Sequence, residues 1–124
     1  MTSSVFASPP DRVEMHDVRV MQMATVDDLP SIQVIWPSFE QIVGLRGRKM
    51  YALIDTRLDT YTVCTPIRAD DQPDRLGLGF GTLPGGCYLR GRGEAPEVYG
   101  QIAGGMAELE ASTPRDQSRP LVEF

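Results

Sequence analysis

A single histidine, His16, and two cysteines, Cys64 and Cys87, leave little for chemistry that depends on soft or switchable ligands. They cannot close a four-ligand structural zinc site without unusual carboxylate help. A Ser-His-Asp relay would have to run through His16, which stands in a strand-like stretch with no nucleophile near it in sequence. Basic residues are outnumbered, 12 Lys and Arg against 17 Asp and Glu, for a net charge of −5. That balance argues against general nucleic-acid binding, because neutralising phosphates needs a basic face. No apolar run approaches membrane-spanning length. The opening MTSSVFASPPDR lacks the basic start and long apolar stretch of a secretory signal. The expected setting is therefore cytoplasmic, with no membrane partner and with both cysteines as reduced, small, buried core residues.

What is present suits one globular domain. A chain of 124 residues with 41% apolar side chains can bury a real core. Twelve glycines and ten prolines predict short elements punctuated by turns. Residues 1–12 read as a flexible arm and residues 13–124 as the domain. A strand is expected over about 14–25. Asp27-Asp28-Leu29-Pro30 has the acidic cap and first-turn proline of a helix start. Ile32, Ile35, Trp36, Phe39, Ile42 and Val43 follow at steps of three or four, one buried helix face, with a kink or break expected at Pro37 and a stop at Gly44. KMYALIDT (49–56) and TYTVCTPI (60–67) read as a hairpin, ADDQPDR (69–75) as a polar loop, and 77–83 and 87–93 as strands. Glu94-Ala95-Pro96-Glu97 opens a second helix with Val98, Tyr99, Ile102, Met106 and Leu109 on its apolar face, and LVEF (121–124) begins a last strand.

Offset by 66 residues, the chain lies on itself: Leu29-Pro30 on Ala95-Pro96, Ile32 on Val98, Trp36 on Ile102, Val43 on Leu109. The identity is slight, so the match is one of pattern. Duplicated β-α-β-β units imply an α+β fold: an antiparallel sheet with two helices on one side, leaving a ligand cleft between the halves.

The segment GTLPGGCYLRGRGEAPEVYGQIAGGMAELEA (81–111) resembles the second-repeat pattern of the GyrI-like family, with its Pro-Gly-Gly-x-Tyr strand, basic-Gly step and acidic-Pro helix start. ATVDDLP (24–30), GLRGRKMYALID (44–55) and RPLVEF (119–124) extend the match over most of the chain from about residue 16. This family is the effector-binding domain of many bacterial MerR-type and AraC-type regulators and also occurs as a stand-alone protein. The resemblance implies a duplicated β-α-β-β fold that binds bulky, apolar, often cationic compounds, the multidrug-binding behaviour of the family. It also implies that Glu123 corresponds to a pocket-facing Glu in a Glu-x-Tyr pattern. The match stops before that Tyr and before the family's closing C-terminal strand, leaving an edge that could pair with another chain, so a homodimer is among the readings.

Ligand-binding candidates are Trp36, Phe39, Tyr51, Tyr61, Tyr88, Tyr99 and Glu123. Aromatic faces suit flat apolar ligands and attract cations, and ordinary core packing explains the same residues. Glu123 is either the charge complement of a cation or a solvated terminal residue. Arg46, Arg48 and Lys49 read as a solvated basic connector or an anion site. Gly91 and Gly93 lack the rest of a phosphate cradle, and Asp70, Asp71 and Asp74 lack the spacing of a calcium loop. No pattern requires a metal or cofactor. The leading expectation is a stand-alone protein that sequesters or senses bulky apolar compounds, cationic ones included. A hydrolase of electrophilic cyclopropane-type toxins would use Glu123 to activate water on the same scaffold. The third reading is a protein-interaction module, such as a gyrase inhibitor. The first two do not differ in sequence, because one carboxylate and several tyrosines serve either.

Overall fold

In the computed structural model, residues 6, 8–92, 98–112 and 118–123 are described. The strand expected near the N-terminus is two strands. β1 (Asp11–Met15) and β2 (Val18–Val26) are separated by the exposed His16 and Asp17. The break follows from their different partners: β1 pairs with β6 (Gly86–Arg90), whereas β2 pairs on both sides within another sheet.

Helix α1 (Leu29–Val43) begins where the acidic cap predicts. The Asp28 carboxylate accepts the Ser31 N–H at 2.8 Å, and Pro30 occupies the first turn, where its missing N–H costs nothing. Gly44 ends it with φ 77°, its N–H donating to the Glu40 carbonyl. The helix runs through Pro37 without interruption, contrary to the expected break. Pro37 sits on the exposed face with Gln33, the residue whose carbonyl loses its partner, so water can satisfy that carbonyl.

The hairpin forms as β3 (Tyr51–Asp55) and β4 (Thr60–Pro66). A short helix, α2 (Pro73–Leu76), begins within the polar 69–75 segment and precedes β5 (Gly79–Leu83). The second long helix, α3 (Val98–Ser112), is present; its predicted opening at 94–97 lies outside the described residues. β7 (Leu121–Glu123) is the last strand. Two compact units result, one holding β1, β6 and α3, the other β2, α1, β3, β4, α2, β5 and β7. In the first, Gly91 admits the Phe6 ring where any Cβ would collide with it. Cys87 is exposed there, against the expectation of a buried residue, because β6 pairs with one strand and Cys87 stands opposite the exposed Glu14.

The larger unit is an α+β layer built on a five-stranded antiparallel sheet of order β5-β2-β4-β3-β7. Side chains alternate between faces along each strand. The register therefore places Met21, Met23, Tyr61, Val63, Ala52, Ile54 and Glu123 on one face. α1 lays Ile32, Ile35, Trp36, Phe39 and Val43 against that face. Val20, Cys64 and Leu83 alternate to the opposite face and are also fully buried. Burial therefore reaches both faces of the central strands β2 and β4. It also pushes the Cys64 thiol up to about 12, so it stays protonated and unreactive.

Arg48, read from the sequence as part of a solvated connector, is instead almost wholly buried. Its guanidinium forms a fork with Asp71 at 2.5 and 3.0 Å, and its Nε donates to the Val43 carbonyl, tying the end of α1 to the loop before α2. The Arg48 guanidinium holds the Asp71 carboxyl below its ordinary value. That contribution to stability is complete above the usual Asp value and is lost as pH falls through the lowered one. The Arg48→Met variant should lose about 2–3 kcal/mol, between the small value of exposed pairs and the larger cost of orphaning a fully buried charge, as read by urea denaturation. An unchanged midpoint would mean that Asp71 is adequately solvated without Arg48.

Candidate functional site

Toward the β7 edge of the sheet, on the face that α1 packs against, three predicted residues meet. Trp36 projects from the second turn of α1 and donates its indole N–H to the Tyr61 hydroxyl at 3.0 Å. The two rings meet edge to face, with centroids 6.5 Å apart and planes at 79°. The Tyr61 hydroxyl in turn donates to the Glu123 carboxylate. The β7–β3–β4 register makes this possible: Glu123 stands opposite Ala52, and Tyr61 stands opposite Ile54. All four residues therefore share a face, two strands apart.

The electrostatics of this chain are unusual for a surface edge. Burial pushes the Glu123 carboxyl above its ordinary value; the Tyr61 hydrogen bond opposes that, and the nearby Asp27 charge adds to it. Burial also raises the Tyr61 phenol, and the Glu123 carboxylate raises it further, because ionising Tyr61 would set two anions side by side. Among the described residues no Lys or Arg forms an ion pair with Glu123. The carboxylate is half-buried, uncompensated by a cation among the described residues, and bonded to the Tyr61 hydroxyl, which also accepts the Trp36 indole N–H.

The other predicted residues are distributed differently. Phe39 shares the face but is completely buried in the core with Met21, Ile35, Ala52 and Val63. Tyr51 stands opposite Cys64 and so lies on the other face of the sheet. Tyr88 is on β6, in the other unit, opposite Val13. Tyr99 lies on α3, with its side chain outside what is described. Asp27 was missed. The Asp27-Asp28 pair reads as helix-cap chemistry, and Asp28 does cap; Asp27 is instead anchored by its N–H donating to the Asp59 carbonyl at 2.8 Å, and its charge reaches Glu123. A second acidic residue before a single cap was the available signal.

No protein-family model matches this chain, and no curated protein does. Among solved structures, that of SAV2435 bound to tetraphenylphosphonium superposes with a TM-score of 0.60 over 93% of this chain and 81% of that one, at 11% identity. The likeness is one of fold. Both chains share an α+β architecture around an antiparallel sheet, which agrees with the class expected from the strand and helix order. Among the described residues no cluster of His, Cys, Asp and Glu could hold a metal ion, and no helix is long and apolar enough to cross a membrane. A separate groove on the same unit, lined by Arg19, Arg68, Arg75 and Phe80, contains none of Trp36, Tyr61 or Glu123.

Proposed function

We propose that this chain is a GyrI-like small-molecule-binding protein that takes up bulky, apolar, cationic compounds, with Glu123 as the charge complement. The observation that carries the reading is the half-buried Glu123 carboxylate, raised by burial, held by Tyr61 and unmatched by any cation among the described residues. Leaving such a group uncompensated is costly, and a ligand cation removes that cost. The Trp36 and Tyr61 rings give a cation polarisable, apolar neighbours. The exposed Asp27 adds a second negative charge. The similarly folded SAV2435 carries tetraphenylphosphonium, a delocalised cation in an apolar shell, which supports the same ligand class here.

Trp36 is the chain's single tryptophan and touches this site, so its fluorescence reports occupancy. Titration with tetraphenylphosphonium should saturate the Trp36 signal, and neutral triphenylphosphine oxide should bind at least about tenfold more weakly, a difference of about 1.4 kcal/mol. Equal affinity for the two, or no saturation by the cation, would remove charge complementarity from the account.

A further inference from the structure

The face that carries Glu123 changes character toward the other edge of the sheet. Along β2 the inward positions run from Met23 and Met21, beneath α1, to Arg19, which is exposed. On β5 the corresponding positions are Phe80 and Thr82. Phe80 pairs with Met21 and Arg19 with Thr82, so Phe80 and Arg19 are diagonal neighbours on one face. Phe80 is 49% exposed, a large apolar ring that the fold leaves uncovered.

The segment from Arg68 to Arg75 faces them across an open groove of about 650 Å³. That wall is built. Asp71 accepts the Arg68 N–H at 2.7 Å and the Arg48 fork, Arg68 donates to the Arg46 carbonyl, and Pro73 is buried beneath the turn. Arg48 neutralises Asp71, so the remaining lining charges are three arginines, Arg19, Arg68 and Arg75, against Asp74. The side chains of Arg19 and Arg75 make no hydrogen bond or ion pair with any described residue. In a chain of net charge −5, this is a local excess of positive charge beside an exposed aromatic ring.

We propose that this groove is a second binding site, for a planar aromatic anion such as an aryl carboxylate. The ring of the ligand stacks on Phe80, and its carboxylate takes the free guanidinium donors of Arg19 and Arg75, whose planar forks match two oxygens. The wall held by Arg48 and Asp71 is preorganised, so the ordering cost of binding falls on the free Arg19 and Arg75 side chains. The site is opposite in charge preference to that at Glu123 and does not depend on it.

The test is calorimetric titration of the whole chain with 1-naphthoate, alongside neutral 1-naphthalenemethanol. Naphthoate should bind with a Kd below about 1 mM, and the neutral compound at least about tenfold more weakly. The double variant R19Q/R75Q, and separately Phe80→Ala, should each weaken naphthoate about tenfold or more while leaving the melting temperature and the tetraphenylphosphonium response unchanged. All three side chains are exposed, so neither variant removes core packing. Absence of naphthoate binding by the wild-type chain, or equal binding by the wild-type chain and the double variant, would overturn the proposal. So would a naphthoate response lost in Glu123→Gln, which would place the ligand at the other site.

Discussion

The Phe39→Ala variant should lose about 3–5 kcal/mol of stability, the largest effect expected of a single core truncation here. Phe39 has no solvent exposure and is the largest of the fully buried side chains. It sits where α1 meets the centre of the sheet, among Met21, Ile35, Ala52, Tyr61 and Val63. Removing the ring forfeits its transfer free energy and leaves a cavity between a helix and a sheet, two rigid surfaces that cannot collapse freely. Denaturant unfolding followed through Trp36, on the same helix face, reads the unit that contains the site. A loss under about 1 kcal/mol would mean that α1 repacks, and that the helix-on-sheet seam does not hold this unit together.

The second large effect concerns Glu123. The Glu123→Gln variant should bind tetraphenylphosphonium roughly thirty- to hundredfold more weakly at mildly alkaline pH. Coulombic attraction between a carboxylate and a delocalised cation about 6 Å away contributes about 2–3 kcal/mol at an effective dielectric constant of about 20. The variant keeps the shape and can still accept the Tyr61 hydrogen bond, so stability is not the cause of the loss. The pH dependence has a definite sign. Burial raises the Glu123 carboxyl, so without ligand its contribution to stability is fully present below the ordinary Glu value and is lost as pH rises through the raised value. Cation binding needs the ionised form, so affinity climbs over the same window. The free protein becomes less stable where the complex becomes tighter, and the Glu123→Gln variant shows neither trend.

Much of this was legible in the sequence, for local reasons. Asp28, Pro30 and Gly44 mark the ends of α1 because capping and left-handed backbone are properties of single residues. The β-branched run TYTVCTP announces β4 in the same way. Trp36, Tyr61 and Glu123 could each be named as candidates, but not as a chain of hydrogen bonds. Tyr61 and Glu123 are 62 residues apart, and what joins them is the register of β7 on β3 and of β3 on β4. A one-residue slip in either pairing would send one of them to the opposite face, where Tyr51 lies. The break at His16-Asp17 was hidden for a similar reason: both halves have strand character, and only their separate partners divide them. Arg48 gave no sign of burial, because its partner Asp71 is 23 residues away in a loop that reads as solvated.

The central claim is that the Glu123 carboxylate, in its ionised form, holds a ligand cation against Trp36 and Tyr61. The most direct test is the affinity of tetraphenylphosphonium for the wild-type chain and for Glu123→Gln, measured through Trp36 fluorescence across a pH series from acid to mildly alkaline. The account predicts that wild-type affinity rises with pH and then levels off once Glu123 is ionised, while the variant binds weakly and flatly throughout. Parallel curves of equal affinity for the two proteins would contradict it.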